Sequence, residues 1–154
     1  MATKKKAPIS RVRKVVAGGP AAVTEAAANT LTPKRVRTPT EEPEPWLIAA
    51  RAAESKKAAD IRVLDLREVT TFADFLIICS GSNPRQLQTI ADEVELQLKQ
   101  ADERPKSVEG YTNAEWILLD YGDYVVNIFS ETARKYYDLE RLWRDAAPVE
   151  IPVT

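Results

Sequence analysis

The residues with most chemical promise are Gly81 and Ser82, which follow an apolar run and precede an amphipathic one, and the acids Glu93 and Glu95 beyond them. Backbone N–H groups at a strand-to-helix turn can hold a phosphate, and convergent carboxylates can hold Mg²⁺. The pattern therefore loosely imitates a nucleotidyltransferase. Helical periodicity argues against it, because residues two apart on a helix point about 200° from each other and cannot share one ion. No Gly-x-Gly-x-x-Gly and no Gly-Lys-Ser/Thr motif accompanies the pair. Cys79 closes an apolar run and reads as a buried core thiol. Asp65 and Asp74 stand beside strands with no second group at metal-ligand spacing. The chain has no histidine, which removes Ser-His-Asp and Cys-His catalysis, histidine metal sites and a histidine pH switch. One cysteine in 154 residues permits no intrachain disulfide and no Cys-rich zinc site. No catalytic residue, metal or cofactor is expected.

The formal charge of -1 conceals two unlike segments. Up to Thr40 there are nine basic residues against Glu25 alone; from Glu41 onward there are 13 basic and 22 acidic residues. Residues 1–45 are rich in proline, poor in aromatics and without sustained periodicity, so they are expected to form a disordered basic tail. No apolar run approaches the roughly 18 to 20 residues that span a bilayer. A soluble, reducing, cytoplasmic setting is expected; a basic, acid-poor leader also fits an organellar transit peptide, which makes an organellar matrix the alternative.

The elements that must position any site start at Trp46. A helix of about 14 residues is predicted there, ended by Asp60. Ile61 to Leu66 alternates and predicts a strand wet on one side, whereas the continuous run Phe75 to Cys79 predicts a strand buried on both. Asn83 is placed as N-cap with Pro84 at the first helical position. The helix beyond carries Leu87, Ile90, Ala91, Val94 and Leu98 on one stripe. Ser107 to Glu109, Trp116 to Leu119 and Tyr124 to Phe129 predict three more strands, the last two joined by a hairpin at Tyr121-Gly122-Asp123. Glu131 to Asp145 returns to helical spacing and is ended by Pro148 and Pro152. The prediction is an α/β domain over residues 46–146, a mixed sheet of about five strands packed with helices, with residues 147–154 as a C-terminal tail.

Aromatic residues mark the candidate surface. Trp116 and Leu118 face one side of their strand, Ile117 and Leu119 the other, so both sheet faces are apolar there. One face is expected to pack on helices and the other to stay open as a docking plate, and Trp116 reads either as core or as the anchor of that plate. Tyr136, Leu139 and Trp143 recur at helical spacing and read either as core or as an extension of that patch.

Several blocks resemble one family, in order and in spacing: Val63-Leu64-Asp65-Leu66-Arg67-Glu68, the run Ala73 to Ser82, Val108-Glu109-Gly110, the run Ala114 to Val126, and the run Tyr136 to Trp143. Together they look like the ribosomal silencing factor family, also called Iojap. The resemblance implies a non-enzymatic α/β domain distantly similar to nucleotidyltransferases. It further implies a translation repressor that binds the large ribosomal subunit through ribosomal protein number fourteen and sterically blocks subunit joining. A large-subunit assembly factor using the same contact is the alternative, and a Mg²⁺-dependent nucleotidyltransferase a remoter one. The expected partner-binding residues are Trp116, Ile117, Leu118, Leu119, Asp120, Tyr136, Leu139 and Trp143. Lys4, Lys5, Lys6, Arg11, Arg13 and Lys14 are the expected rRNA contacts, and a homodimer of the free protein through the same face is a further candidate partner. Where the family commonly has histidine, this chain has Gln86 and Asn127.

Overall fold

A computed structural model describes residues 43–152. The expected rRNA contacts Lys4, Lys5, Lys6, Arg11, Arg13 and Lys14, and the predicted tail as far as residue 42, lie outside the described residues.

Helix α1 runs Pro45–Ser55, with proline at its first position as the missing N–H permits. It has 11 residues rather than 14, because the chain turns at Lys56 and takes a left-handed conformation at Lys57 (φ 66°). Asp60 does not end the helix. It sits inside β1 (Ala59–Asp65) at φ 48°, where the pairing register with β2 (Phe75–Gly81) shifts. Helix α2 (Pro84–Gln100) follows, then β3 (Ser107–Glu109), β4 (Trp116–Asp120), β5 (Tyr124–Ser130), α3 (Glu131–Tyr137), α4 (Leu139–Leu142) and β6 (Ala147–Val149). As predicted, Asn83 caps α2, its Oδ1 accepting the Gln86 N–H at 2.8 Å, and all five stripe residues are buried.

The strands form one mixed sheet in the order β3-β4-β5-β2-β1-β6. Only β2 and β5 run parallel, as their connection through α2 allows; the remaining pairs are antiparallel. Gly122 (φ 89°) closes the predicted β4–β5 hairpin, where the Tyr121 N–H donates to the Tyr124 carbonyl at 3.0 Å.

The mixed sheet of about five strands is present with six, because Ala147–Val149, within the segment read as C-terminal tail, pairs antiparallel with β1 and sets Pro148 opposite Leu64. Proline is tolerated there because β6 is the outermost strand. β1 is correspondingly drier than predicted, with Val63 and Leu64 buried on opposite faces. The predicted helix from Glu131 to Asp145 is broken at Asp138, whose left-handed backbone (φ 49°) separates α3 from α4.

Each sheet face has its own core. Val63, Ile77, Cys79, Ile117, Leu119, Val126 and Ile128 pack under α1 and α2, where Ala49, Ala50 and Ala53 let the helices approach closely. Leu64, Leu76, Ile78, Trp116, Leu118, Val125 and Phe129 pack on the other side with Ala133 and Leu139. Cys79 is fully buried, and desolvation of its thiolate pushes the thiol up to about 12.

The Gly81-Ser82 turn is explained by packing. A Cβ on Gly81 would stand 2.7 Å from Leu87 Cδ1, so glycine is what lets α2 lie against β2. The Ser82 N–H already donates to Gln86 Oε1 at 2.6 Å and its hydroxyl to the same atom at 2.9 Å. Gln86 Nε2 donates in turn to the carbonyls of Lys56 and Lys57 at 3.2 and 3.1 Å, latching the end of α1 to the start of α2. Net hydrogen-bond contributions of about 0.5 to 1.5 kcal/mol each, shared among partly exposed groups, predict that Gln86→Ala lowers stability by about 1 to 2 kcal/mol. Urea denaturation measures it; an unchanged midpoint would mean the latch carries no stability.

Candidate docking surface

The strand expected to form an open plate is closed over. Trp116, Ile117, Leu118 and Leu119 are 3%, 0%, 6% and 0% exposed. The Trp116 indole N–H donates to Asn127 Oδ1 at 3.0 Å, and Asn127 Nδ2 donates to the Ile77 carbonyl at 3.4 Å, so both polar groups are satisfied in the core. The ring packs on Phe129 and Tyr137 at centroid distances of 4.7 and 4.8 Å. The physical reason is the left-handed break at Asp138, beyond which the chain packs Leu139 (3% exposed) and part of Trp143 against this sheet face. Trp116 is therefore a core residue, and its exposure as an anchor is corrected. Leu139 joins the same core. Asp120 is half-buried and accepts the Gly122 N–H on Oδ1 at 2.9 Å, a turn-stabilising role.

Of the expected partner-binding residues, Tyr136 alone stands well clear of the fold, at 76% exposed, with Trp143 half-buried beyond it. Tyr136 meets Tyr137 edge-on at 4.7 Å, and Tyr137 meets Trp116, so an aromatic chain runs from core to surface. Leu142 (46% exposed) lies in the same shallow groove of about 680 Å³, which is lined also by Lys135, Asp138, Arg141 and Arg144. Leu142, three residues beyond Leu139, lies on the same helical stripe, and that spacing was the available signal for it, although the sequence reading picked out only Leu139 and Trp143 there. Large apolar side chains bordered by three cations and by the carboxylates of Asp138 and Asp145, on an α-helical edge, suit protein contact.

A second unforeseen residue holds this edge in place. Arg134 is 8% exposed. Its Nε and Nη2 donate to the two Glu140 carboxylate oxygens at 3.0 and 3.1 Å, and its Nη1 donates to Ser80 Oγ at 2.8 Å. Asp60 adds a carboxylate at 3.6 Å. One guanidinium thus ties α3 to α4 and to the end of β2, with the planar fork that a bidentate pair requires.

The remaining candidate acids do not converge. Glu93 accepts from Gln97 Nε2 at 2.6 Å and lies 3.9 Å from Lys56 Nζ. Glu95 feels Asp92 instead. Asp65 binds Arg67 through both carboxylate oxygens, at 3.0 and 2.7 Å, and that hydrogen bonding holds its carboxyl below the usual range. Among the described residues no group of three His, Cys, Asp or Glu side chains could hold a metal ion, and no helix is long and apolar enough to cross a membrane.

With this geometry in place, three comparisons bear on the chain. The family model described as "Ribosomal silencing factor during starvation" matches residues 39–154. The ribosomal silencing factor RsfS of Bacillus subtilis is 42% identical over 99 residues, covering 64% of this chain and 84% of that protein. The chloroplastic protein Iojap of Zea mays is 34% identical over 110 residues, covering 67% of this chain and 45% of that protein. A crystal structure of a Chromobacterium violaceum protein superposes with a TM-score of 0.64 at 33% identity, covering 71% of this chain and 91% of that one. The repeated strand and helix blocks, the sheet they build and the family match over three quarters of the sequence agree: the chain belongs to the ribosomal silencing factor family.

Proposed function

We propose that this protein represses translation by binding the large ribosomal subunit through ribosomal protein number fourteen and standing where the small subunit would join. The observation that carries the reading on this chain is the Tyr136–Leu142 edge, an exposed aromatic and an exposed leucine beside a groove. The mechanism is steric and needs no catalytic group. Tyr136 supplies rigid amphipathic contact area, Leu142 and Trp143 add apolar area, and Lys135, Arg141 and Arg144 set register through peripheral charge. Trp116 and Leu118 contribute from beneath by holding the sheet face on which α3 and α4 rest, while Ile117 and Leu119 fix the same strand under α1 and α2. Over the body as a whole, the acid excess from Glu41 onward suits a basic ribosomal protein better than rRNA, while the edge itself presents both signs, Lys135, Arg141 and Arg144 beside Asp138 and Asp145. The basic residues Lys4, Lys5, Lys6, Arg11, Arg13 and Lys14 would add salt-dependent contact with neighbouring rRNA.

Co-sedimentation with isolated large subunits tests this. Tyr136→Ala is expected to weaken binding about thirtyfold, the equivalent of about 2 kcal/mol for a hot-spot aromatic, while leaving the denaturation midpoint unchanged. Undiminished binding by that variant would remove the edge from the interface.

The alternative reading is large-subunit assembly through the same contact. Ribosome profiles of cells lacking the protein separate the two: immature large-subunit particles point to assembly, and excess joined ribosomes under starvation point to silencing. The bacterial relatives favour a cytoplasmic site of action and the organellar relatives a matrix one.

A further inference from the structure

The C-terminal segment crosses from one sheet face to the other. Beyond the left-handed Asp138, the buried Leu139 and Ala146 and part of Trp143 pack with Trp116 and Phe129 in one core. Ala147–Val149 then pairs with β1 as the outermost strand, and Val149 and Ile151 pack against the other core. The segment is a strap wrapped around the margin of the sheet, with one hold in each core.

The docking edge lies between those two holds. Arg141, Leu142 and Arg144 are all exposed there. Helix α4 has four residues, too few to keep a helix closed by its own hydrogen bonds. Leu139 and the Arg134–Glu140 pair fix only its first turn. Beyond Leu142, the Trp143, Arg144 and Ala146 N–H groups donate to the Leu139, Arg141 and Trp143 carbonyls at 2.9, 3.3 and 2.9 Å. Bonds of that kind in a surface turn open locally unless the chain is packed down on both sides. β6 supplies the far hold, and it is a slight one. It makes three residue pairs with β1, and one of them is made by Pro148, which brings no N–H. Ala147 and Pro148 are exposed, so Val149, set opposite the buried Val63, is the strand's one part-buried side chain.

We propose that β6 is the latch of this strap and Val149 a positioning residue, whose packing beside Val63 keeps α4 and the turn after it closed, so that Arg141, Leu142 and Arg144 meet the partner in one geometry. The inference rests on the edge being the docking surface. With the strap closed the edge is pre-organised, and little ordering is left to oppose binding. Release of β6 loosens the edge and leaves β2, β4 and β5 in place, because β6 pairs with β1 alone. Apparent affinity then falls with the fraction of molecules whose strap is closed.

Amide hydrogen exchange on the full chain tests the latch, and co-sedimentation with large subunits tests its consequence. Val149→Asp sets a carboxylate beside Val63. Val149→Thr keeps the shape and adds only a hydroxyl, which serves where the carboxylate unfolds the domain. The Trp143 and Ala146 amides are expected to lose protection, more in the aspartate variant than in the threonine one, while the amides of β2 and β5 keep theirs. A strap closed about one tenth of the time weakens large-subunit binding about tenfold. Val149→Ile should leave exchange and binding as they are. Unaltered protection at Trp143 and Ala146, or a loss shared equally by β2 and β5, overturns the latch. Loosened amides with undiminished binding overturn the positioning role, while Tyr136→Ala, assayed beside them, judges separately whether the edge docks at all.

Discussion

Trp116→Ala is expected to destabilise the domain by about 3 to 5 kcal/mol, the range for truncating a buried aromatic. Against the total of about 5 to 15 kcal/mol typical of a domain, that removes a large part of the folding free energy. Trp116 is 3% exposed, packs on Phe129 and Tyr137, and donates its indole N–H to Asn127. Truncation leaves a cavity between β4, β5 and α3 and strands the Asn127 amide oxygen without its donor. Loss of ribosome binding should follow from unfolding and track it across temperature. Trp116→Phe separates the two contributions: it keeps most of the packing and loses the Asn127 bond, so a smaller cost, about 1 to 3 kcal/mol, is expected. Equilibrium denaturation and near-ultraviolet circular dichroism read both variants. A Trp116→Ala protein with a native midpoint and no affinity for large subunits would restore the strand as an exposed contact and refute its place in the core.

Arg134→Met should cost about 2 to 3 kcal/mol. Removing one partner of a buried ion pair costs about 3 to 5 kcal/mol, because the other charge is left desolvated. Here Glu140 keeps 30% of its side chain in solvent and lies 3.4 Å from Arg62, which brings the cost to the bottom of that range or just below it. The double variant Arg134→Met with Glu140→Leu should recover part of the loss, since an apolar pair of similar volume needs no desolvation. A double-mutant cycle with denaturation midpoints measures the coupling. Strictly additive losses would show that the Arg134–Glu140 pair does not hold α3 to α4. Because the pair positions the edge that carries Tyr136, Arg134→Met should also weaken large-subunit binding under conditions where the variant remains folded.

The local rules were legible wherever the signal was short-range. The Asn83 cap, Pro84, the five-residue stripe of α2, the dry β2 run and the Gly122 hairpin all follow from spacing and backbone preference, and each is present. The misreadings share one cause. An apolar side chain carries no information about whether it will be covered by its own chain or by another molecule, so Trp116 and Leu118 read equally well as plate or core. Which of the two they are depends on Asp138: a single left-handed residue bends the C-terminal segment back over the sheet, and helical periodicity runs through it unbroken in the sequence. Pro148 likewise reads as a terminator until β1 supplies an edge at which its missing N–H does no harm.

The sequence by itself determined the family, the α/β class, the helix and strand blocks and the separation of a basic segment from an acidic remainder, because composition, periodicity and turn chemistry are properties of neighbouring residues. Tertiary structure alone decided which aromatics are buried, that a sixth strand closes the sheet, and that Arg134 clasps Glu140 and Ser80. Those outcomes join residues far apart along the chain, and only the packed fold brings their side chains within reach of one another.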